Sequence, residues 1–138
     1  MNSVLYYVKT SKNSWFEDAV QHYESKLNQF TSFTVQAVSS PTTGKVSETI
    51  RKQKEGDKLL NQIKNGDGLI VFDERGTLHR NSRDFAHFLG KNLEIGKSRL
   101  VFIIGGAYGI DEKIKKKANY TISLGPLTFN HHLALLVA

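Results

Sequence analysis

Leu100-Val101-Phe102-Ile103-Ile104 runs without a polar break into Gly105-Gly106-Ala107-Tyr108-Gly109. Branched and aromatic residues in an unbroken apolar run suit a strand covered on both faces, since a strand wet on one side would alternate with polar residues. The glycines that follow let the backbone turn sharply and come close to a ligand with no side chains in the way. Taken alone they fit an ordinary strand-to-helix turn equally well. A second loop of similar character, Ser123-Leu124-Gly125-Pro126-Leu127-Thr128-Phe129-Asn130-His131, lies a short way downstream.

The rest of the chain alternates strand and helix patterns. Val4 to Val8 is β-rich, and Phe16, Ala19, Val20, Tyr23 and Leu27 then recur at helical spacing, with Ser14 placed to cap. Phe33 to Val38 reads as a second strand, and Ser39 to Gly44 as a loop around Pro41. From Ser47 to Lys64 the pattern is a charged helix with an apolar stripe of Ile50, Leu59, Leu60 and Ile63, in which Gly56 argues against one unbroken element. Gly66-Asp67-Gly68 turns the chain into a third strand, Leu69 to Asp73, left through a loop at Glu74-Arg75-Gly76-Thr77. Ser82 is placed to cap a helix carrying Phe85, Phe88, Leu89 and Leu93 on one face. After the fourth strand and its glycines come a short basic helix, Asp111 to Ala118, and a fifth strand, Tyr120 to Ser123. Parallel strands need crossover connections, so this alternation predicts an α/β fold: a mostly parallel sheet with helices on both faces. With no internal repeat, low-complexity tract or linker, residues 1–138 read as one domain.

Composition narrows the chemistry. The chain has no cysteine, which removes disulfide, zinc-thiolate and thiol-nucleophile chemistry and agrees with a reducing compartment. No apolar stretch approaches the roughly 20 residues of a bilayer span, and the start of the chain lacks a signal-peptide pattern. A cytoplasmic protein is therefore expected. The net charge of +6 suits an anionic partner such as nucleic acid, though a merely basic protein carries as much.

In open α/β sheets ligands bind beyond the carboxyl ends of the strands, where strand order reverses. The expected lining is Phe72-Asp73-Glu74, Gly105 to Gly109, and Leu124 to Phe129. It holds no Walker lysine, no Gly-x-Gly-x-x-Gly fingerprint, no nucleophile elbow and no metal-ligand cluster. Glycines, leucines and backbone amides suit a bulky cofactor held by shape and main-chain hydrogen bonds, and so group transfer from a preactivated donor. Other residues invite narrower readings. Asp73 ends a strand like a phosphoacceptor, but Lys9-Thr10 stand where a receiver domain needs an acidic pair. Adjacent His131 and His132 point to different helix faces, which suits capping or loop packing better than a metal site. Arg75 and His79 fit either RNA contact or a solvated loop. The basic run at Lys113, Lys115, Lys116 and Lys117 fits either phosphate contact or a solvated helix face. Tyr108 could stack on a base or simply cover apolar surface.

These three segments, in this order and spacing, resemble the RlmH family of SPOUT methyltransferases, and the likeness extends over nearly the whole chain, including Trp15, Tyr23 and the Gly44-Lys45 loop. The resemblance implies a carboxyl-terminal trefoil knot, a homodimer, and transfer of methyl from S-adenosyl-L-methionine to a pseudouridine of large-subunit ribosomal RNA within the ribosome. It implies cofactor contacts from Phe72, from Gly105, Gly106 and Gly109, and from Leu124, Gly125, Pro126, Leu127, Thr128 and Phe129. Arg75, Tyr108 and His131 fall on the substrate side; no metal is implied, and no general base is identified. Family members continue past the point where Leu135-Leu136-Val137-Ala138 end this sequence, through the rest of a helix and a basic tail, and Ala134-Leu135 stand where an arginine is common. The expectation is cofactor binding, with turnover depending on that further segment. The alternatives are a ribosome-binding remnant of the family and a flavodoxin-like nucleotide-binding module.

Overall fold

Five apolar segments of the sequence form the strands β1 (Asn2–Lys9), β2 (Ser32–Ser39), β3 (Asp67–Leu78), β4 (Arg99–Ile104) and β5 (Tyr120–Ser123). The computed structural model describes residues 2–9, 14–40, 45–94, 98–106 and 108–138. All neighbouring strands pair in parallel, in the spatial order β2-β1-β4-β3-β5. The helices α1 (Ser14–Leu27), α2 (Glu48–Leu60), α3 (Ser82–Glu94), α4 (Glu112–Lys117) and α5 (His131–Val137) supply the cover.

Successive side chains of a strand point to opposite faces, and the core divides accordingly. On one face Val4, Tyr6, Val8, Leu69, Val71, Val101 and Ile103 pack with Leu59 of α2 and Ile114 of α4. On the other, Leu5, Tyr7, Ile70, Phe72, Phe102 and Ile104 pack with Phe16 of α1, Phe85 and Phe88 of α3 and Leu135 of α5. Val71, Val101 and Ile103 are fully inaccessible, as expected of central parallel strands. The chain thus forms an α/β fold with helices on both faces of a wholly parallel sheet.

Strand order is the feature that builds the site. A flavodoxin-like sheet runs 2-1-3-4-5. Here β4 lies between β1 and β3, so the path from β4 to β5 must cross β3, and it does so through α4, packed on one face of the sheet. That order removes the flavodoxin-like alternative. Asn119 secures the crossing: its side chain accepts from the Leu69 amide and its own amide donates to the Leu69 carbonyl, each at 2.8 Å.

Several local expectations need correction. The segment Glu74 to Thr77 is not a loop leaving β3 but part of it, a bulge in which pairing with β5 shifts between Phe72 and Thr77. α2 is continuous through Gly56, because a Cβ there would meet Asp111 Cβ at 2.7 Å and glycine is what lets helix and loop approach. Ser82 is the first residue of α3; the cap is Asn81, whose Oδ1 accepts from the Asp84 amide at 2.9 Å. α1 is described from Ser14 onward, and of its apolar stripe only Phe16 is buried. Thr10 to Asn13, Pro41 to Gly44 and Ala107 lie outside the described residues, as does the side chain of Leu93.

Candidate functional site

The carboxyl end of β4 and the adjoining middle of β3 open into a cavity of about 880 Å³. Its floor is strand: Phe72, Asp73 and Glu74 of β3 and Ile104 of β4. One wall is the glycine loop, with Gly105, Gly106, Tyr108, Gly109 and Ile110; the opposite wall is Leu124, Thr128, Phe129, Asn130 and the start of α5 at His131 and Ala134, with Glu48 of α2 at the edge. The size lies within the range of small-molecule sites.

The glycine loop is a closed turn. The Gly109 amide donates to the Gly106 carbonyl at 3.0 Å, and Gly109 takes a φ of +89°, a left-handed conformation that side chains resist. Gly105 is required for a different reason: a Cβ would stand 2.6 Å from the Gly109 carbonyl oxygen and 2.6 Å from Ile110 Cγ1. The ring of Tyr108 stands over Arg51 of α2, its centroid 5.7 Å from the guanidinium carbon, within cation–π range. Tyr108 is 41% exposed at the cavity rim.

The opposite wall is built on hydrogen bonds. Ser123 Oγ accepts from the Gly125 amide at 3.1 Å and donates to the Gly125 carbonyl at 2.9 Å, folding the turn that leaves β5. Asn130 caps α5, its Oδ1 accepting from the Leu133 amide at 3.0 Å, so that of the two roles expected of the histidines, capping and packing, the first falls to Asn130. His132 packs instead against Phe16, ring centroids 4.4 Å apart, while His131 faces the cavity and is held below the usual histidine range by burial and then by the neighbouring His132. Thr128 Oγ1 donates to Glu74 Oε2 at 2.6 Å, joining the two sides of the cavity at the rim.

Asp73 is held in an ion pair at the cavity floor. Burial by itself would raise its carboxyl, but hydrogen bonds from Lys115 and from the Arg75 amide, with the charges of both cations, hold it below the usual carboxylate range. Lys115 Nζ lies 2.8 Å from Asp73 Oδ2, both side chains being mostly buried. Asp73 is thus an anchored anion, unlike an open phosphoacceptor.

Of the residues expected at the site, Phe72, Gly105, Gly106, Gly109, Leu124, Thr128, Phe129, Tyr108 and His131 line this cavity. Gly125, Pro126, Leu127 and Arg75 do not. Leu127 is 70% exposed, and Arg75 points to Asp73 and Glu112. His79 packs against Phe85 and Phe88. Glu48, Ile104, Ile110, Asn130 and Ala134 join the lining without having been expected. Asn130 had a sequence signal, an asparagine just before an apolar run; Glu48 had none, being brought in by the packing of α2. Among the described residues no group of three or more His, Cys, Asp or Glu side chains is arranged to hold a metal, and no helix is long and apolar enough to cross a membrane.

Sequence comparison agrees with this geometry. A protein called "Ribosomal RNA large subunit methyltransferase H" in Bdellovibrio bacteriovorus is 30% identical over 134 residues, covering 97% of this chain and 85% of the relative. Proteins of the same name in Caldicellulosiruptor saccharolyticus and Porphyromonas gingivalis are 35% identical over 127 residues (91% of this chain, 81% of the relative) and 32% identical over 137 residues (99% and 87%). The model of the family described as "Predicted SPOUT methyltransferase" matches residues 1–138. The chain belongs to the SPOUT methyltransferase family.

Proposed function

We propose that this protein methylates large-subunit ribosomal RNA, with S-adenosyl-L-methionine bound in the cavity between the glycine loop and the Leu124–Asn130 segment. The observation that carries the reading is the character of that cavity. Its lining includes the carboxylates of Glu48, Asp73 and Glu74 and, among the described residues, no lysine or arginine. Such a surface suits a ligand with positive charge and repels the phosphates of a nucleotide. The apolar faces of Phe72, Ile104, Ile110 and Leu124 fit the flat and aliphatic parts of the donor, and the glycine loop offers main-chain groups at close range.

The donor supplies a methyl already activated by its sulfonium. The protein's work is then orientation and handling of the proton that the acceptor nitrogen loses. The acceptor we propose is N3 of a pseudouridine, presented by the assembled ribosome in the cytoplasm. Phe72, Gly105, Gly106 and Gly109 hold the donor on one side, and Leu124, Thr128 and Phe129 on the other. Tyr108 and His131 face the acceptor at the rim, with Arg75 outside them toward RNA. We further propose that residues 1–138 act as one domain, that the crossing of β4–β5 over β3 belongs to a trefoil knot, and that the working form is a homodimer.

Calorimetric titration with S-adenosyl-L-methionine, with ATP as control, tests the proposal. Saturable binding of the methyl donor alone is the expected result. Binding of ATP in preference, or of neither by folded protein, would overturn it. Methyl transfer to ribosomes lacking the modification, read by mass spectrometry of the nucleosides, tests the target.

A further inference from the structure

The residues of α2 that face the glycine loop form a group outside the cavity. Glu55 is only 3% exposed, a rare setting for a carboxylate. Its Oε1 accepts from Ser40 Oγ at 3.0 Å. Its Oε2 is buried and has no hydrogen-bond partner among the described residues. That oxygen lies directly behind the loop: a Cβ on Gly106 would stand 2.9 Å from it. Burial pushes the Glu55 carboxyl above the usual range, opposed by the Ser40 hydrogen bond and the Arg51 charge.

The neighbours of Glu55 along α2 grip the same loop. Arg51, one turn earlier, lies under the Tyr108 ring. Gly56 lies against Asp111, which ends the loop and caps α4 through the Lys113 amide. Asp57 pairs with Lys113 at 2.7 Å. α2 therefore meets the loop at Gly106 and at Tyr108, and the start of α4 at Asp111 and Lys113. A buried carboxylate with a single described donor costs stability compared with an apolar side chain of the same size, so its presence calls for a role beyond packing. Glu55 Oε2 accepts from no described amide of the loop, so its hold on the turn is the close packing of the buried carboxylate against Gly106.

We propose that Glu55 is a positioning residue, its carboxylate holding the Gly105–Gly109 turn against α2 so that the loop is set in shape before any ligand arrives. Glu55 does not line the cavity, and its influence on the reaction passes through Gly106. The role in catalysis rests on the methyl-transfer reading given above; the control of the loop does not.

The test compares Glu55→Gln, Glu55→Ala and Ser40→Ala with the parent chain by hydrogen exchange on ligand-free protein, followed by S-adenosyl-L-methionine titration. Glu55→Gln keeps the size and removes the charge. Its expected result is exchange about tenfold faster at the Gly106–Gly109 amides, with the amides of β1 and β4 unchanged, and donor affinity about tenfold weaker. Ser40→Ala moves both in the same direction by less. Loop exchange in Glu55→Gln equal to the parent's would overturn the proposal, as would faster exchange throughout the sheet, the mark of a merely stabilising residue. Should Glu55→Ala not fold, Glu55→Gln decides. Should the parent not bind the donor, the methyl-transfer reading fails, while the exchange experiment still judges Glu55.

Discussion

The stretch of β3 that pairs with β4 carries an aspartate held by a cation at each end, and the two ends do opposite things. At the amino end Asp67 receives Arg99 at 2.7 Å, while the same guanidinium donates to the Gln62 carbonyl at 2.9 Å and approaches the Tyr6 hydroxyl at 3.4 Å. Asp67 also accepts from the Lys64 amide at 2.8 Å, and Ser98 closes onto the Gly66 carbonyl. The polar groups there serve one another. At the other end Asp73 and Lys115 form a comparable pair, yet around them the chain turns away to leave a cavity walled by glycines and edged by the carboxylates of Glu48 and Glu74. The same strand is thus tied shut at one end and held open at the other. Stability and binding are allotted to different ends of one sheet, and substitutions should separate them.

The largest effect is expected from Arg99→Met, which leaves Asp67 buried without its partner. A loss of about 3 kcal/mol in urea unfolding is expected, with donor affinity in the folded protein unchanged. A matching fall in affinity would show that the two ends are coupled. Gly105→Val tests the open end. The new side chain must displace the Gly109 carbonyl, so donor affinity should fall about a hundredfold, while unfolding changes by about 1–3 kcal/mol. Retained affinity would count heavily against the cavity as the donor site. Asn130→Ala removes the α5 cap and should cost about 1 kcal/mol, seen as a lower melting temperature with a modest loss of affinity.

The gentlest effect is one of slope. Burial tends to raise the Asp67 carboxyl, but the hydrogen bonds from Arg99 and from the Lys64 amide, with the charges of both residues, hold it below its unfolded value of 3.8. A carboxyl lowered in the folded state contributes stability above the unfolded pKa and loses it as pH falls through the folded one. Parent stability should therefore decline below about pH 4, and Asp67→Asn should decline less steeply from a lower starting point. Parallel curves for the two would mean that the Asp67 pair contributes nothing specific.

Much of this division was legible in the sequence. Unbroken apolar runs mark β3 and β4, and the glycines after β4 with the Ser123–His131 segment mark the open end. Pairings that depend on the third dimension were not. Asp67 and Arg99 stand 32 residues apart, and only the register of β3 on β4, which sets them side by side, makes them partners. Gly56 read as a flaw in a helix because helix propensity registers the chain alone; the closeness of Asp111 turns the same residue into a fitting contact. The bulge of β3 escaped for a similar reason. Glu74-Arg75-Gly76-Thr77 has turn composition, and its strand character comes from β5, which pairs beyond it at Thr77 and Leu78.

The crossing of the chain over β3 also sets a timetable. Phe72 and Ile104 are in place once β3 and β4 pair, but the facing wall, Leu124 to Ala134, belongs to segments made later. Contacts between residues so distant in sequence form slowly, because closing a long loop costs entropy before any contact returns it. During synthesis the emerging chain would acquire its hydrophobic sheet well before it acquires a two-sided cavity. Ligand affinity would then report that the last segments had docked, and a half-made chain, however well its sheet had formed, would have nothing with which to hold a ligand.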